Sequence, residues 1–336
     1  MTATMAGCAG TSTKTSSAGS GSVTVYSADG LHDGNSSWFQ TQFDAFEKQT
    51  GIHVNYVEGG SGDVVNRLER ERSNTQADVL VTLPPFIQRA DKDQLLESYT
   101  PAAAEKIPSA LKSTDGRYTA LVNNFVDMIY NRRSKAPATF DQLLDPKYKN
   151  KIQYSTPGQA GDGTALLLNV IHAYGSVDKG MAFLKKLQAN NVGPSSSTGK
   201  LTPKVNTGEL AVANGDVQMN LGQEVQNPNI KIFFPAGPDG ERYTFAIPYE
   251  IGLVAKAPRS ANGKKLIDFL LSASAQKSVS KLSYGLPVRN DVHPTDANYT
   301  AFLMQLNAAK IWTPDWNSVL DQLNTLVAKY QSATGS

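Results

Sequence analysis

The chain contains one cysteine in 336 residues, Cys8. A single thiol excludes an intrachain disulfide and any cysteine-based metal cluster. Histidine is also scarce: His32, His53, His172 and His293 are scattered and share no metal-ligand spacing. No Lys/Arg run stands out and the formal charge is only +2, so nucleic-acid binding lacks its electrostatic footprint. No apolar stretch approaches the roughly 20 residues that a membrane-crossing helix needs. The common catalytic signatures are missing as well. There is no P-loop, and no Gly-x-Gly-x-x-Gly opens the first helix. Gly59-Gly60-Ser61-Gly62-Asp63 departs from the nucleophile-elbow pattern at its last position. No histidine is positioned by sequence to serve Ser61, so catalysis is the weaker reading.

With 40% hydrophobic residues, 27 glycines and 17 prolines, the chain is long enough for two domains, each with its own core. Residues 9–22 are almost wholly Thr, Ser, Ala and Gly and read as a flexible tether. From residue 23, strands and helices alternate. Strands are expected at 23–26, 52–57 and 77–83, with helices at 38–49, up to about 74, and at 86–96. Phe39, Phe43 and Phe46 share one face of the first helix, and Pro84-Pro85 opens the third. This alternation implies an α/β domain with a largely parallel sheet, its strand-to-helix turns lined along one edge.

A second α/β set follows, with a strand at 152–154 and helices at 165–174, 181–187 and within 201–214. Strands are then expected at 217–221, 230–234, 245–247 and 251–254, and helices at 264–282 and 319–330. Extended stretches at 120–130 and 244–253 would carry the chain out and back between two lobes, making a hinge. The expected division is a tether at 1–22, a first lobe at 23–122 and a second lobe at 123–247. Residues 248–336 would return to the first lobe with the C-terminal helices.

Three turns set glycines and small hydroxyl residues where a strand gives way to a helix. They are Ser27-Ala28-Asp29-Gly30, Gly59-Gly60-Ser61-Gly62, and the stretch from Ser155-Thr156-Pro157-Gly158 to Gly161-Asp162-Gly163-Thr164. A helix start has unpaired N–H groups and a partial positive charge, so it attracts an anion without a lysine. Three such ends from two lobes point to a tetrahedral oxyanion held between them, and to a binding protein. The candidate donors are Ser27, Ala28, Ser61, Gly62, Ser155, Thr156, Gly163 and Thr164.

Each has a plainer reading. Ser61 can be a simple N-cap, worth about 1 kcal/mol. Thr164 is expected to cap the helix that follows it. Residues 155–164 can be a surface loop instead of a nest of N–H groups. Thr82 ends a buried strand where its side chain would meet the cleft, next to Phe86, which reads as packing. Ser197, within Ser195-Ser196-Ser197-Thr198, and Asn220 are candidates to complete the anion's surroundings. Tyr249 and Glu250 lie in the returning crossing and can either face the cleft or pack the hinge.

Val25-Tyr26-Ser27-Ala28-Asp29-Gly30-Leu31, Tyr56-Val57-Glu58-Gly59-Gly60-Ser61-Gly62 and Ala77-Asp78-Val79-Leu80-Val81-Thr82-Leu83-Pro84-Pro85-Phe86 resemble the 2-aminoethylphosphonate-binding proteins of ABC importers. The same frame is similar to the wider group of ferric-iron, thiamine and polyamine binders. The resemblance runs from about residue 23 to the C-terminus. It implies a type 2 periplasmic-binding-protein fold, two α/β lobes joined by two hinge strands. Such a protein closes on its ligand and delivers it to a membrane permease and its ATPase subunits. It would act as a monomer, with no cofactor, metal or nucleic-acid partner.

A bound phosphonate would take the donors above, and its ammonium would need an acceptor. Asp29 and Glu250 are the expected acceptors, with Tyr249 lining the pocket. Iron binders of the wider group use an adjacent tyrosine pair. The matching stretch here is Met219-Asn220-Leu221-Gly222-Gln223, and no Tyr-Tyr pair occurs in the chain. Phenolate ligation of iron is not expected; the alternative is a binding protein of the same group for ferric iron, phosphate, polyamine or thiamine. Met5-Ala6-Gly7-Cys8 resembles the lipobox of exported bacterial lipoproteins. That implies lipidation of Cys8 and a place in the periplasm or on the outer face of the cytoplasmic membrane. The basic start and apolar run of a secretory signal do not precede Cys8, so the chain is expected to begin inside such a signal.

Overall fold

The computed structural model describes residues 21–32 and 37–335. Cys8 and nearly all of the expected tether lie outside the described residues. The first lobe opens with β1 (Gly21–Ala28), in which Val23 and Val25 are fully buried. α1 (Trp38–Thr50) starts at Ser37, whose hydroxyl accepts from the Gln40 N–H, and stops at Gly51 with φ 70°. Its buried side is Trp38, Phe39, Phe43 and Phe46. Then come β2 (Ile52–Gly59), α2 (Ser61–Arg70), β3 (Val79–Thr82), α3 (Phe86–Lys92), β4 (Leu96–Glu97) and β5 (Tyr118–Val122).

Residues 123–125 cross to the second lobe. It holds β6 (Val126–Asn131), β7 (Ile152–Gln153), α4 (Gly161–Tyr174), α5 (Val177–Leu187) and α6 (Thr202–Thr207). β8 (Val212–Asp216), α7 (Val217–Glu224), β9 (Ile230–Phe233) and β10 (Tyr243–Thr244) complete it. Residues 245–247 cross back to β11 (Tyr249–Val254). The two crossings lie side by side: the Val126 N–H donates to the Phe245 carbonyl at 3.2 Å, and the Ile247 N–H to the Asn124 carbonyl at 2.9 Å. The buried Asn124 side chain braces this hinge by accepting from the Phe125 and Gln218 N–H groups. The rest is α8 (Ser260–Leu270), α9 (Ala273–Lys277), α10 (Val279–Ser283), α11 (Ala297–Leu306), β12 (Lys310–Ile311) and α12 (Trp316–Thr334).

The first-lobe sheet has the order β2-β1-β3-β11-β4, with β5 also pairing β11. β1, β2 and β3 are parallel, whereas β11 runs antiparallel to β3, β4 and β5, so the sheet is mixed. In the second lobe the order is β7-β8-β6-β9, and only β7 and β8 are parallel. Each sheet has its own apolar core. Val25, Phe39, Val81, Ile251 and Leu266 belong to one, and Met128, Tyr154, Leu167, Leu184 and Val212 to the other.

Several stretches differ from the sequence expectation; the strand expected at 245–247, for one, is reduced to a single bridge between Ala246 and Phe125. The strand expected at 217–221 lies five residues earlier, as β8. Asp216 ends it and accepts the Met219 N–H at 2.7 Å, so the apolar residues that follow form α7. The helix expected at 264–282 breaks into α8, α9 and α10, with Ser272 capping α9. The helices from residue 297 onward touch α10 and α3 of the first lobe but also pack on the second. Phe302 of α11 packs with Phe125, Val217, Leu221 and Phe234, and Leu326 and Tyr330 of α12 enter the second-lobe core. β12 pairs with β10 there. The apolar side of α12, with Val319, Leu326 and Tyr330, needs a partner and finds it in the second-lobe core, where α12 packs against α5.

Candidate functional site

The starts of α2 and α4 meet between the lobes. Gly60 is the N-cap of α2, so Ser61 is the first helical residue and not the cap expected of it. Ala160 is the N-cap of α4, four residues ahead of Thr164. Thr164 instead ties the turn together, donating to the Ala160 carbonyl at 3.0 Å and accepting the Gly158 N–H at 2.9 Å. The first N–H groups of each helix have no intrahelical acceptor. One of them, on Gly62, donates across the interface to the Gln159 carbonyl at 3.1 Å. Glycine is required for this approach. A Cβ on Gly161 would lie 2.9 Å from Ser61 Oγ, and one on Gly163 would lie 2.2 Å from the Ser155 carbonyl oxygen.

The turn at Ser27-Ala28-Asp29-Gly30 opens no helix, contrary to expectation, because α1 starts only at Trp38. The Ser27 hydroxyl donates to the Ala28 carbonyl at 2.8 Å, Ala28 pairs with Gly59, and the Asp29 N–H donates to the Gly59 carbonyl at 3.2 Å. What this turn offers the interface is the Asp29 side chain. Its Oδ2 accepts from the Ser197 hydroxyl of the second lobe at 2.8 Å. The buried Tyr249 hydroxyl donates to the Asp29 carbonyl at 2.8 Å and thereby fixes the turn. Gly30, with φ 109°, has no room for a side chain there, since its Cβ would fall 2.2 Å from the Tyr249 oxygen.

Other expected residues act on the site's frame. The Thr82 hydroxyl donates to the Ser61 carbonyl at 3.0 Å. The Thr156 N–H donates to the Ser195 carbonyl at 2.8 Å, and its hydroxyl accepts the Ser195 N–H at 3.1 Å. Thr156 is thus a tie between two loops, with its N–H already engaged. Ser155 accepts the Thr198 hydroxyl at 2.9 Å and donates its N–H to Asn214. The buried Asn220 amide donates to Asp127 Oδ1 at 2.7 Å, behind the interface.

That last contact leads to a group the sequence reading missed. Asp127 on β6, Asp162 in the first turn of α4, and Asp216 at the end of β8 are all buried. Asp162 is 5% exposed, and its Oδ1 has no hydrogen-bond partner. Burial raises its carboxyl well above the usual range, and the charges of Asp216 and Asp29 add to the rise; the Thr198 hydroxyl opposes them. Asp127 is raised for the same reason, by burial first and then by Asp216. The only hint in the sequence is Asp162 itself, an acid between two glycines at a helix start.

Glu250 does not join Asp29. Adjacent strand residues point to opposite sheet faces, so Tyr249 reaches Asp29 while Glu250 turns the other way. It receives the Gln88 side-chain amide at 3.2 Å and lines a cavity of about 220 Å³ with Tyr118, Lys112 and Trp316. Burial pushes its carboxyl up to about 8, with Gln88 opposing the rise. A larger groove of about 740 Å³ opens on the other side, from Asp29 and Ser197 to Gln218, Gln223 and Tyr284. Two of the histidines are used elsewhere: His53 sits 3.0 Å from Glu47, and His172 stacks on Trp312 at 4.1 Å. Among the described residues, no three His, Cys, Asp or Glu side chains group to hold a metal ion.

Two α/β lobes on a paired hinge, meeting through helix starts and buried polar side chains, define a two-lobed solute-binding protein. Residues 30–277 match the family described as bacterial extracellular solute-binding protein, and the chain belongs to it. It is more particularly 57% identical over 316 residues to proteins of Salmonella typhimurium (strain LT2) and Salmonella typhi named as 2-aminoethylphosphonate-binding periplasmic proteins, covering 94% of this chain and 93% of theirs. Solved structures share the fold at lower identity. The periplasmic binding protein AfuA of Actinobacillus pleuropneumoniae, with fructose-6-phosphate bound, superposes with a TM-score of 0.80 at 19% identity, over 94% of this chain and 99% of that one. A ferric binding protein from Campylobacter jejuni gives 0.75 at 21%, over 93% and 99%. The type 2 periplasmic-binding-protein fold expected from the sequence is the fold observed.

Proposed function

We propose that the chain captures 2-aminoethylphosphonate between its lobes and delivers it to the permease of an ABC importer. The observation that carries this reading is the pairing, at one interface, of helix-start N–H donors with buried carboxylates. A ligand that suits both has an anionic head and a cationic tail a few atoms apart. The N–H groups of Ser61 and Gly163 and the Ser61 hydroxyl serve the phosphonate, and acids at Asp29 and Asp162 serve the ammonium. The relatives named for this compound support the same ligand. Hydrogen bonds to charged groups contribute about 1.5–3 kcal/mol each. A few of them, less the cost of ordering and closure, reach the roughly −8 kcal/mol of a micromolar complex.

Neutral donors hold the anion without a lysine, so opening the lobes releases it to water. The protein acts as a carrier and not an enzyme on this reading, and works as a monomer in the periplasm. Cys8 in its lipobox-like setting supports a lipid anchor, which the intact mass of the native protein checks. A thermal-shift screen with 2-aminoethylphosphonate, inorganic phosphate, ferric ion, thiamine and spermidine tests the ligand. The account expects stabilisation by the first alone; a response only to another compound rejects it.

A further inference from the structure

We infer that Asp162 is the residue by which the cleft distinguishes an aminophosphonate from phosphate and from phosphonates without an amine; this rests on the ligand reading above. Asp162 is placed at the interface by the close contact of α4 with the first lobe. The flanking Gly161 leaves only 2.9 Å between a Cβ position and Ser61 Oγ. The other nearby acids are engaged with protein donors. Asp29 takes the Ser197 hydroxyl, and Asp216 takes the Met219 N–H. Asp127 Oδ2 is also without a partner, but Asp127 is on β6, held by Asn220, and the charges beside it are Asp216 and Asp162 of its own lobe. Asp162 Oδ1 is thus a buried acceptor without a protein donor, on the helix start that meets the first lobe.

A buried acceptor without a donor is costly, and a ligand that supplies the donor recovers that cost. An ammonium group does so and also offers a countercharge to Asp162, Asp29 and Asp216. Inorganic phosphate or ethylphosphonate brings only more negative charge to the same place. Asp162 thus favours the amine and disfavours the bare anion with a single side chain.

Titration calorimetry of the wild-type protein and Asp162→Asn, with 2-aminoethylphosphonate, ethylphosphonate and inorganic phosphate, tests this. The wild type should prefer the amine-bearing ligand over ethylphosphonate by about 10- to 150-fold. In the variant that ratio should fall to about threefold or less, with ethylphosphonate affinity held or increased. A variant that keeps the full preference overturns the inference. Asp162→Glu supplies a second route should the asparagine variant misfold. Its longer arm should move the preference from 2-aminoethylphosphonate toward aminomethylphosphonate, and an unchanged preference for chain length counts against Asp162. Wild-type protein that binds none of these phosphonates defeats the proposed function itself, a different result from a wild type that binds and a variant that still discriminates.

Discussion

Ser197 and Asp29, 168 residues apart in sequence, are joined across the cleft by a hydrogen bond of 2.8 Å from the hydroxyl to Oδ2. Together with the Gly62 N–H on the Gln159 carbonyl at 3.1 Å, it links the two lobes. Both bonds break when the lobes part. Ser197→Ala removes one of them and touches neither core. Affinity for 2-aminoethylphosphonate should fall about 3- to 10-fold, with little change in the ligand-free thermal midpoint. Calorimetry and thermal unfolding on the same samples separate the two effects.

Gly163 is a packing requirement before it is anything else. A methyl group there would lie 2.2 Å from the Ser155 carbonyl oxygen, whereas one on Gly175, at the other end of α4, would meet nothing within 4 Å. Gly175 does have φ 75°, so alanine there costs backbone strain of about 1 kcal/mol. Gly163→Ala should cost more, about 1–3 kcal/mol or beyond, since α4 must move away from its own turn. Urea unfolding midpoints of the two variants should differ clearly in that order.

Glu250 gives the molecule a pH dependence unrelated to its ligand. Its carboxyl is raised from 4.5 to about 8 in the folded protein. The neutral form is favoured in the fold, so its stabilising share is complete below pH 4.5 and is lost as pH rises through about 8. Glu250→Gln keeps the shape and the Gln88 contact without the ionisation. Its thermal midpoint should exceed the wild type's by several degrees at about pH 8.5, and the gap should close near pH 4.5. A gap that does not vary with pH assigns the titration elsewhere.

Asp78 is fully buried and accepts the Thr24 N–H, the Arg259 N–H and the Arg259 Nε–H, all within 2.7–2.8 Å. It fastens the start of α8 to β1. Asp78→Ala leaves those donors without an acceptor and should cost about 3–5 kcal/mol. Chemical unfolding measures it, and a loss under 1 kcal/mol, in the range typical of exposed pairs, contradicts the burial argument.

The parts of the fold legible in the sequence are those whose local chemistry agrees with their tertiary place. Phe39, Phe43 and Phe46 mark α1 because one apolar face, a serine cap and a terminal glycine all say the same thing. Val212-Ala213-Asn214-Gly215-Asp216 is a buried strand that reads in sequence as the end of a helix within 201–214, because Asn214 is there to hold Ser155 and Asp216 to start α7. The displaced strand at 217–221 follows directly from that. In the site, Asp29, Ser61, Gly62 and Ser197 are legible as turn residues, and the structure brings them to one interface, while Gly163 packs against Ser155 in its own turn. Glu250 is apart from Asp29 because the face of β11 it occupies depends on register with β3, which one sequence does not reveal. Asp162 is not legible as a site residue because a glycine-flanked acid looks like loop until its burial is known.

The most direct measurement is a crystal structure of the protein grown with 2-aminoethylphosphonate. The account predicts the phosphonate oxygens within about 2.7–3.0 Å of the N–H groups at the starts of α2 and α4, and the nitrogen at a similar distance from Asp162 Oδ1. A ligand bound outside the lobe interface, or bound there with its amine turned away from every one of these acids, would contradict it.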